Sequence, residues 1–308
     1  MTNRKKALLY GLATVGIWST VASAFKISLR HLDPLQLLLC ACAASLVALS
    51  GILAFQGKTS ELKRVTRREL LRCVLLGALN PFLYYVILFR AYDLLPAQEA
   101  QPLNYTWAIT LSLLSVPLLG QKMSLKDLAA ILVSYFGVVV ISTHGNLLAL
   151  EFSNPTGVAL ALGSTIIWAL YWIFNTRSTI DPTAGLFLNF LFGFPLILIA
   201  TLTFSELPSF STPGMLGAAY VGFFEMGITF ALWLTAMKYA ARPDGGGTAR
   251  VANLIFLSPF LSLIFIHFLV GEEILPATVA GLAFIIAGNA LMQYKGKKEA
   301  TASTSAQR

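Results

Sequence analysis

Charged residues are scarce in this sequence, at 12% of 308, where an ordinary soluble domain carries about a quarter. Hydrophobic residues make up 56%, and the mean hydropathy is +0.73. A soluble fold of this size cannot hide that much apolar surface, which excludes a soluble enzyme and also a disordered chain. Cysteine is nearly absent. Cys40, Cys42 and Cys73 are an odd set in apolar or membrane-edge stretches, which excludes a disulfide-stapled secreted domain and leaves them as small hydrophobes. Histidine is as rare: His31, His144 and His267 stand apart without metal-ligand spacing, so no metal or cofactor is expected. Gly245-Gly246-Gly247-Thr248 lacks both the lysine and the preceding strand of a phosphate loop. No Ser/His/Asp or Cys/His set shares a depth in the chain. The expected class is therefore an all-α integral membrane protein, its apolar runs being too long for barrel strands.

Ten apolar segments are long enough to cross a bilayer: 7–29, 34–55, 70–92, 96–119, 126–142, 156–176, 183–204, 213–238, 249–270 and 275–294. The first is basic and then apolar like a signal peptide. It is too long for one and is followed by Lys26 and Arg30 without a small-residue cleavage pattern, so it reads as a retained span. When successive loops are assigned to alternate sides, 19 of the 22 Lys and Arg fall with the N-terminus; Lys26, Arg30 and Arg90 fall opposite. The net charge of +8 thus records which loops stay in the cytoplasm and does not point to nucleic acid. Both termini are expected there, in a bacterial inner membrane. Residues 1–6 form a cytoplasmic N-terminus, and the polar stretch 295–308 is expected to be a disordered cytoplasmic tail.

The halves 7–145 and 155–294 match at nearly constant offset. Trp18 falls against Trp168, Asp33-Pro34 against Asp181-Pro182, Gly77 against Gly222, Ala91 against Ala236, Gly120 against Gly271, and Gly137 against Gly288. Each half holds five spans, an odd number, so the second enters the membrane upside down. Inverted repeats have two related packings, one open to each side, which is the geometry of alternating access to a midplane site.

Span centres carry groups that lipid does not welcome. Trp18, Trp107 and Trp168 lie there, away from the interfaces that tryptophan favours, and Trp172 is one turn past Trp168. Asn80-Pro81 with Tyr84, Glu225 with Thr229, and Ser258-Pro259 lie at similar depth. A central water-filled cavity built by spans 1, 3, 4, 6, 8 and 9 would satisfy these groups without exposing them to lipid. Glu225 is read as the one acidic residue well inside a span. A charge there costs about 2.5–3.5 kcal/mol, and a bound proton would lessen it. Proton coupling, an amine counter-charge and a structural hydrogen bond are all open roles. Pro81, Pro102 and Pro259 are candidate hinges, because proline removes a helical hydrogen bond. Small residues at heptad spacing, Ala130 with Gly137 and Gly281 with Gly288, favour close helix contact between the halves or with a second copy, in a monomer or weak homodimer.

With these marks the chain resembles the drug/metabolite transporter superfamily, and within it the ten-span EamA family. The marks are the paired tryptophans, the paired Asp-Pro openings and Gly271-Glu272; Gly120-Gln121 stands where a second Gly-Glu is usual. The run Leu103-Asn104-Tyr105-Thr106-Trp107 resembles the Asn-Tyr-x-Trp-Pro run of an aromatic amino acid exporter in that family, with Ala108 in place of the proline. The resemblance implies export of aromatic or other apolar amino acids, or of flat toxic cations, with Tyr105 joining the site. Rings stack on rings and hold an ammonium by cation–π attraction. A membrane enzyme acting on lipids would need a polar catalytic cluster near one face, and none is legible. In a cysteine-free background, Lys63→Cys should react with an impermeant thiol reagent only from the side holding the N-terminus. Glu206→Cys should react only from the other; labelling of both from one side would overturn the alternation of loops.

Overall fold

The computed structural model of the chain describes residues 1–120, 125–148, 153–175, 178–208, 211–240, 242, 244–245, 251 and 253–305. Every regular element among them is helical. The first half contains α1 (Asn3–Ser28), α2 (Pro34–Phe55), α3 (Arg67–Gly77), α4 (Tyr84–Leu94), α5 (Ala97–Asn104), α6 (Trp107–Leu119) and α7 (Leu125–Ser142). The second contains α8 (Pro155–Asn175), α9 (Pro182–Phe204), α10 (Thr212–Tyr220), α11 (Thr229–Ala240), α12 (Leu257–Phe265) and α13 (Pro276–Ser305). π-helical turns, Ala78–Leu83 and Val221–Ile228, join α3 to α4 and α10 to α11, and a third, Ile266–Val270, follows α12. Among the described residues, six stretches are long and apolar enough to cross a membrane: Asn3–Ser28, Pro34–Phe55, Arg67–Leu94, Pro155–Asn175, Pro182–Phe204 and Thr212–Ala240. Leu128–Ser142, Leu257–Val270 and Pro276–Leu291 are shorter apolar helices. The outer surface is apolar, with Leu75, Leu132, Ile199, Leu202 and Leu216 all exposed, as lipid contact requires.

Two features depart from the sequence reading. The segment 96–119 is not one helix but breaks after Asn104. Pro102 has no N–H to give, and the Thr106 hydroxyl turns back onto the Leu103 carbonyl at 2.7 Å. At the other end of the chain, α13 runs on to Ser305, past the tail boundary at 295. Lys, Ala and Glu dominate Lys295–Ala300 and are strong helix formers.

The Asp-Pro pairs start α2 and α9. Asp33 Oδ1 accepts from Leu35 N and Gln36 N at 2.8 and 3.0 Å, and Gln36 Oε1 in return accepts from Asp33 N. Asp181 Oδ1 accepts from Thr183 N and Ala184 N. Proline at the first helical position sacrifices no bond. These caps also join the halves. Lys58 Nζ reaches Asp181 Oδ2, while Ser205 donates to Asp33 and Gln36 Nε2 to the Glu206 carbonyl. Thus α2 and α9 lie antiparallel and are tied at both ends.

Packing between the halves is reciprocal. The Gly77 turn of α3 sits on α9, where a Cβ would overlap the Asn189 carbonyl; the Gly222 turn sits on α2, where a Cβ would overlap the Ala41 carbonyl. Likewise α1 packs on α11 and α8 on α4, and α1 meets α12 as α8 meets α6. Along α1, Tyr10 meets Tyr239, Trp18 meets Trp233, and Thr20 bonds Tyr220, so α1 runs against α11. Helices α7 and α13 cross with Gly137 against Gly281 and Gly288 against Ala130. The expected small-residue stripes therefore face each other within one chain. Gly137→Ala should lower the melting temperature in detergent, by an overpacking cost of about 1–3 kcal/mol, since its Cβ would meet the Gly281 carbonyl. Gly51→Ala, on an open face of α2 with nothing within 4 Å, should leave it unchanged or raise it.

Candidate functional site

Each π-helical turn changes the register of a helix in mid-span, and such bulges gather at functional sites. At the end of Val221–Ile228 the Thr229 N–H bonds Phe224 O, and the Thr229 hydroxyl lies between Phe224 O and, at 2.8 Å, Glu225 O. In Ala78–Leu83 the backbone leaves the helix at Asn80, with φ −145° and ψ 117°. The Asn80–Pro81 bond there is cis.

Between these turns lies a cavity with about 130 Å³ of water-accessible space. All five tryptophans of the chain line it: Trp18, Trp107, Trp168, Trp172 and Trp233. Tyr84, Tyr105, Phe230, Gln101, Asn104 and Glu225 complete the parts that matter chemically. Trp168 is the hub. It stacks on Tyr84 at 4.5 Å and on Tyr171 at 5.7 Å, and meets Trp172 and Phe230 edge-on at 5.8 and 6.1 Å. Phe230 also meets Trp18 edge-on at 6.5 Å, so one ring bridges the two tryptophans that occupy equivalent places in the halves. Such offset and edge contacts are worth about 0.5–1.5 kcal/mol each beyond burial.

Polar groups are spaced around this wall of rings. Tyr85 donates to Glu225 Oε1 at 3.2 Å, and Trp18 lines the same cavity. Glu225 Oε2 is buried with no protein partner. Asn104 accepts from Tyr84 at 3.4 Å and donates to Ser164 at 3.0 Å. Gln101 Oε1 and Trp172 Nε1 are buried and unpartnered.

Of the residues expected from sequence, Trp18, Tyr84, Tyr105, Trp107, Trp168, Trp172 and Glu225 share this cavity. Three lie behind its wall. Asn80 is fully buried, absent from the cavity lining, and both polar atoms of its amide lack a protein partner; the backbone there is non-helical. Thr229 is spent on backbone carbonyls. Ser258 is fully buried and sits between Ser19 Oγ, at 3.5 Å, and the Tyr105 phenol. Among the hinge candidates, Pro81 lies in the first π turn and Pro102 one turn before the Tyr105–Thr106 break. Pro259 lies inside α12, between a 3₁₀ turn, Asn253–Phe256, and the third π turn. Sequence reasoning missed Tyr85, Gln101, Asn104, Phe230 and Trp233. Trp233 follows Glu225 by eight residues, and Gln101 precedes Asn104 by three. Both spacings repeat a helical face, and that signal was available.

A second polar cluster closes the end of the bundle that carries the turns after α1 and α4. Glu272 accepts from Ala97 N and Gln98 N at 2.8 and 3.1 Å, capping α5. Gln98 in return accepts from Leu275 N and Thr278 Oγ1 and donates to Glu273 O. Glu99, completely buried, takes His144 Nε2 at 2.7 Å and Ser153 Oγ. Glu225 is therefore not the one acidic residue inside the bundle, and His144 is not isolated. Among the described residues no group of His, Cys, Asp or Glu could hold a metal. Lys26 and Arg30 are spent here as well: Lys26 Nζ donates to Tyr92 O and Leu95 O, and Arg30 to Val270 O, all at 2.7 Å.

The chain matches known proteins along nearly all its length. A solved crystal structure superposes with a TM-score of 0.66 over 96% of this chain and 99% of the other at 21% identity, which shows a shared fold. An uncharacterized transporter of Clostridium kluyveri is 26% identical over 96% of this chain and 95% of its own. The Bacillus subtilis protein YvbV, also described as an uncharacterized transporter, is 24% identical over 73% of this chain and 72% of its own. Residues 5–143 and 155–294 each match the EamA-like transporter family. A multi-pass helical bundle with a ring-lined chamber between two halves, each bearing the family's sequence pattern, belongs to that family: this chain is a member of the EamA-like transporters.

Proposed function

We propose that this transporter is a ten-span carrier built from two inverted repeats, 7–145 and 155–294, that exports aromatic and other apolar amino acids by alternating access. Its place is a bacterial inner membrane with both termini in the cytoplasm. The inversion rests on the antiparallel course of α2 against α9 and of α7 against α13, and on packing in which each half repeats the other's partners. Two such halves can exchange conformations, opening a midplane cavity to either side in turn. The bending points are the first π turn at Pro81, the break after Pro102, and the irregular backbone on both sides of Pro259.

One observation carries the substrate class: every tryptophan of the chain faces the same chamber, with a carboxylate in its wall. A flat ring gains stacking on Tyr84, Trp168 or Trp107, and an amine gains a negative partner in Glu225. The unpartnered Glu225 Oε2 also favours a second reading, export of aromatic cations. In proteoliposomes, purified protein should exchange labelled tryptophan or phenylalanine in counterflow. Trp107→Ala should raise the half-saturating concentration about three- to ten-fold, the loss of one aromatic pair. Trp168→Ala should do the same and also lower the melting temperature, because it removes a ring that four others touch. Flux of aromatic cations without flux of either amino acid would select the second reading, and wild-type kinetics in both variants would move the site elsewhere.

A further inference from the structure

The charge on the chamber wall is one-sided. Glu225 Oε2 and Gln101 Oε1 are buried acceptors without a protein partner, and Trp172 Nε1 is a buried donor without one. All three residues line the same cavity. Among the described residues, none that lines it carries a positive charge. The nearest lysine in sequence, Lys26, follows the lining residue Phe25 but gives its ammonium to the Tyr92 and Leu95 carbonyls. Arg30 is likewise committed to the Val270 carbonyl. The Asn104 amide is held between Tyr84 and Ser164. An ammonium entering this space meets a carboxylate oxygen and an amide oxygen that are already dehydrated and waiting. A carboxylate entering it exchanges its hydration for neutral donors alone, indole N–H groups and the Gln101 amide among them, and is repelled by Glu225. A buried charge left without a partner is costly, so the asymmetry decides binding.

We propose that the chamber recognises the ammonium group of its substrate and offers the carboxylate no charged partner, so that aromatic primary amines lacking a carboxylate bind more tightly than the corresponding amino acids. Glu225 is the counter-charge, Gln101 Oε1 the second acceptor, and the Trp168–Tyr84 stack the ring platform. This rests on the proposed carrier function and adds which end of the molecule the site reads.

Isothermal titration of the purified protein in lipid nanodiscs with tryptamine, L-tryptophan and indole-3-propionate tests it. Tryptamine should bind at least about ten-fold more tightly than tryptophan, and indole-3-propionate should give no binding; a charge-assisted hydrogen bond is worth that factor. Glu225→Gln should weaken tryptamine at least about ten-fold and narrow the gap to tryptophan. Gln101→Leu, which leaves the carboxylate in place, should weaken tryptamine by a smaller factor and serves if Glu225→Gln does not fold. Equal or tighter binding of tryptophan, or unchanged tryptamine affinity in a folded Glu225→Gln protein, overturns the inference while leaving amino-acid export standing. If none of the three binds and counterflow is absent, the carrier reading falls with it.

Discussion

Hydrocarbon offers no hydrogen bonds, and the whole arrangement of this protein follows from that one constraint. A straight helix satisfies its own backbone; a broken one needs help from its surroundings. At three places in this bundle a side chain gives that help. The Thr229 hydroxyl covers carbonyls at the second π turn, the Thr106 hydroxyl covers Leu103 O where the fourth segment divides, and the Glu272 carboxylate receives the first N–H groups of α5. The breaks are tolerated because they face protein or cavity, and they are where the chamber is. Irregular backbone, buried polar groups and the ring-lined space are three consequences of the same exclusion of lipid.

The same constraint shapes how the halves meet. Helices in lipid gain nothing by hiding apolar surface from water, so close backbone approach has to supply the contact. Here glycine or alanine does so at three crossings: Gly77 on α9, Gly222 on α2, and Gly137 with Gly281 between α7 and α13. At the ends of α2 and α9, where water returns, charged and capping groups take over. The result is a bundle in which most long-range contacts join one half to the other. A change of shape in either half has to be accommodated by its counterpart, which is the coupling that alternating access needs.

Position along a helix is legible in the sequence; direction around the helix axis is legible only in part. The Asp33 and Asp181 caps, the helix limits near them, and the mid-span positions of Trp18, Trp168 and Glu225 follow from local chemistry and count of residues. Asn80 lies in mid-span yet is absent from the cavity lining; its φ and ψ depart from the helix, and every inference about faces assumes a regular one. Trp233 was passed over because a tryptophan toward the end of a span ordinarily marks the interface. Glu99 was overlooked for a different reason. Its partners His144 and Ser153 lie 45 and 54 residues away, and nothing local announces that a carboxylate near a helix start will be completely buried.

The gathering of every indole around one chamber has an optical corollary. The long-wavelength ultraviolet emission of this protein originates wholly from the chamber walls, with no remote chromophore to dilute it. Trp18 and Trp233 are 5.6 Å apart, and Trp168 and Trp172 are 5.8 Å apart. At such separations the excited states of neighbouring indoles mix, giving paired bands of opposite sign in near-ultraviolet circular dichroism. The unlabelled chain therefore carries its own spectroscopic gauge of whether the chamber is filled, empty or rearranged.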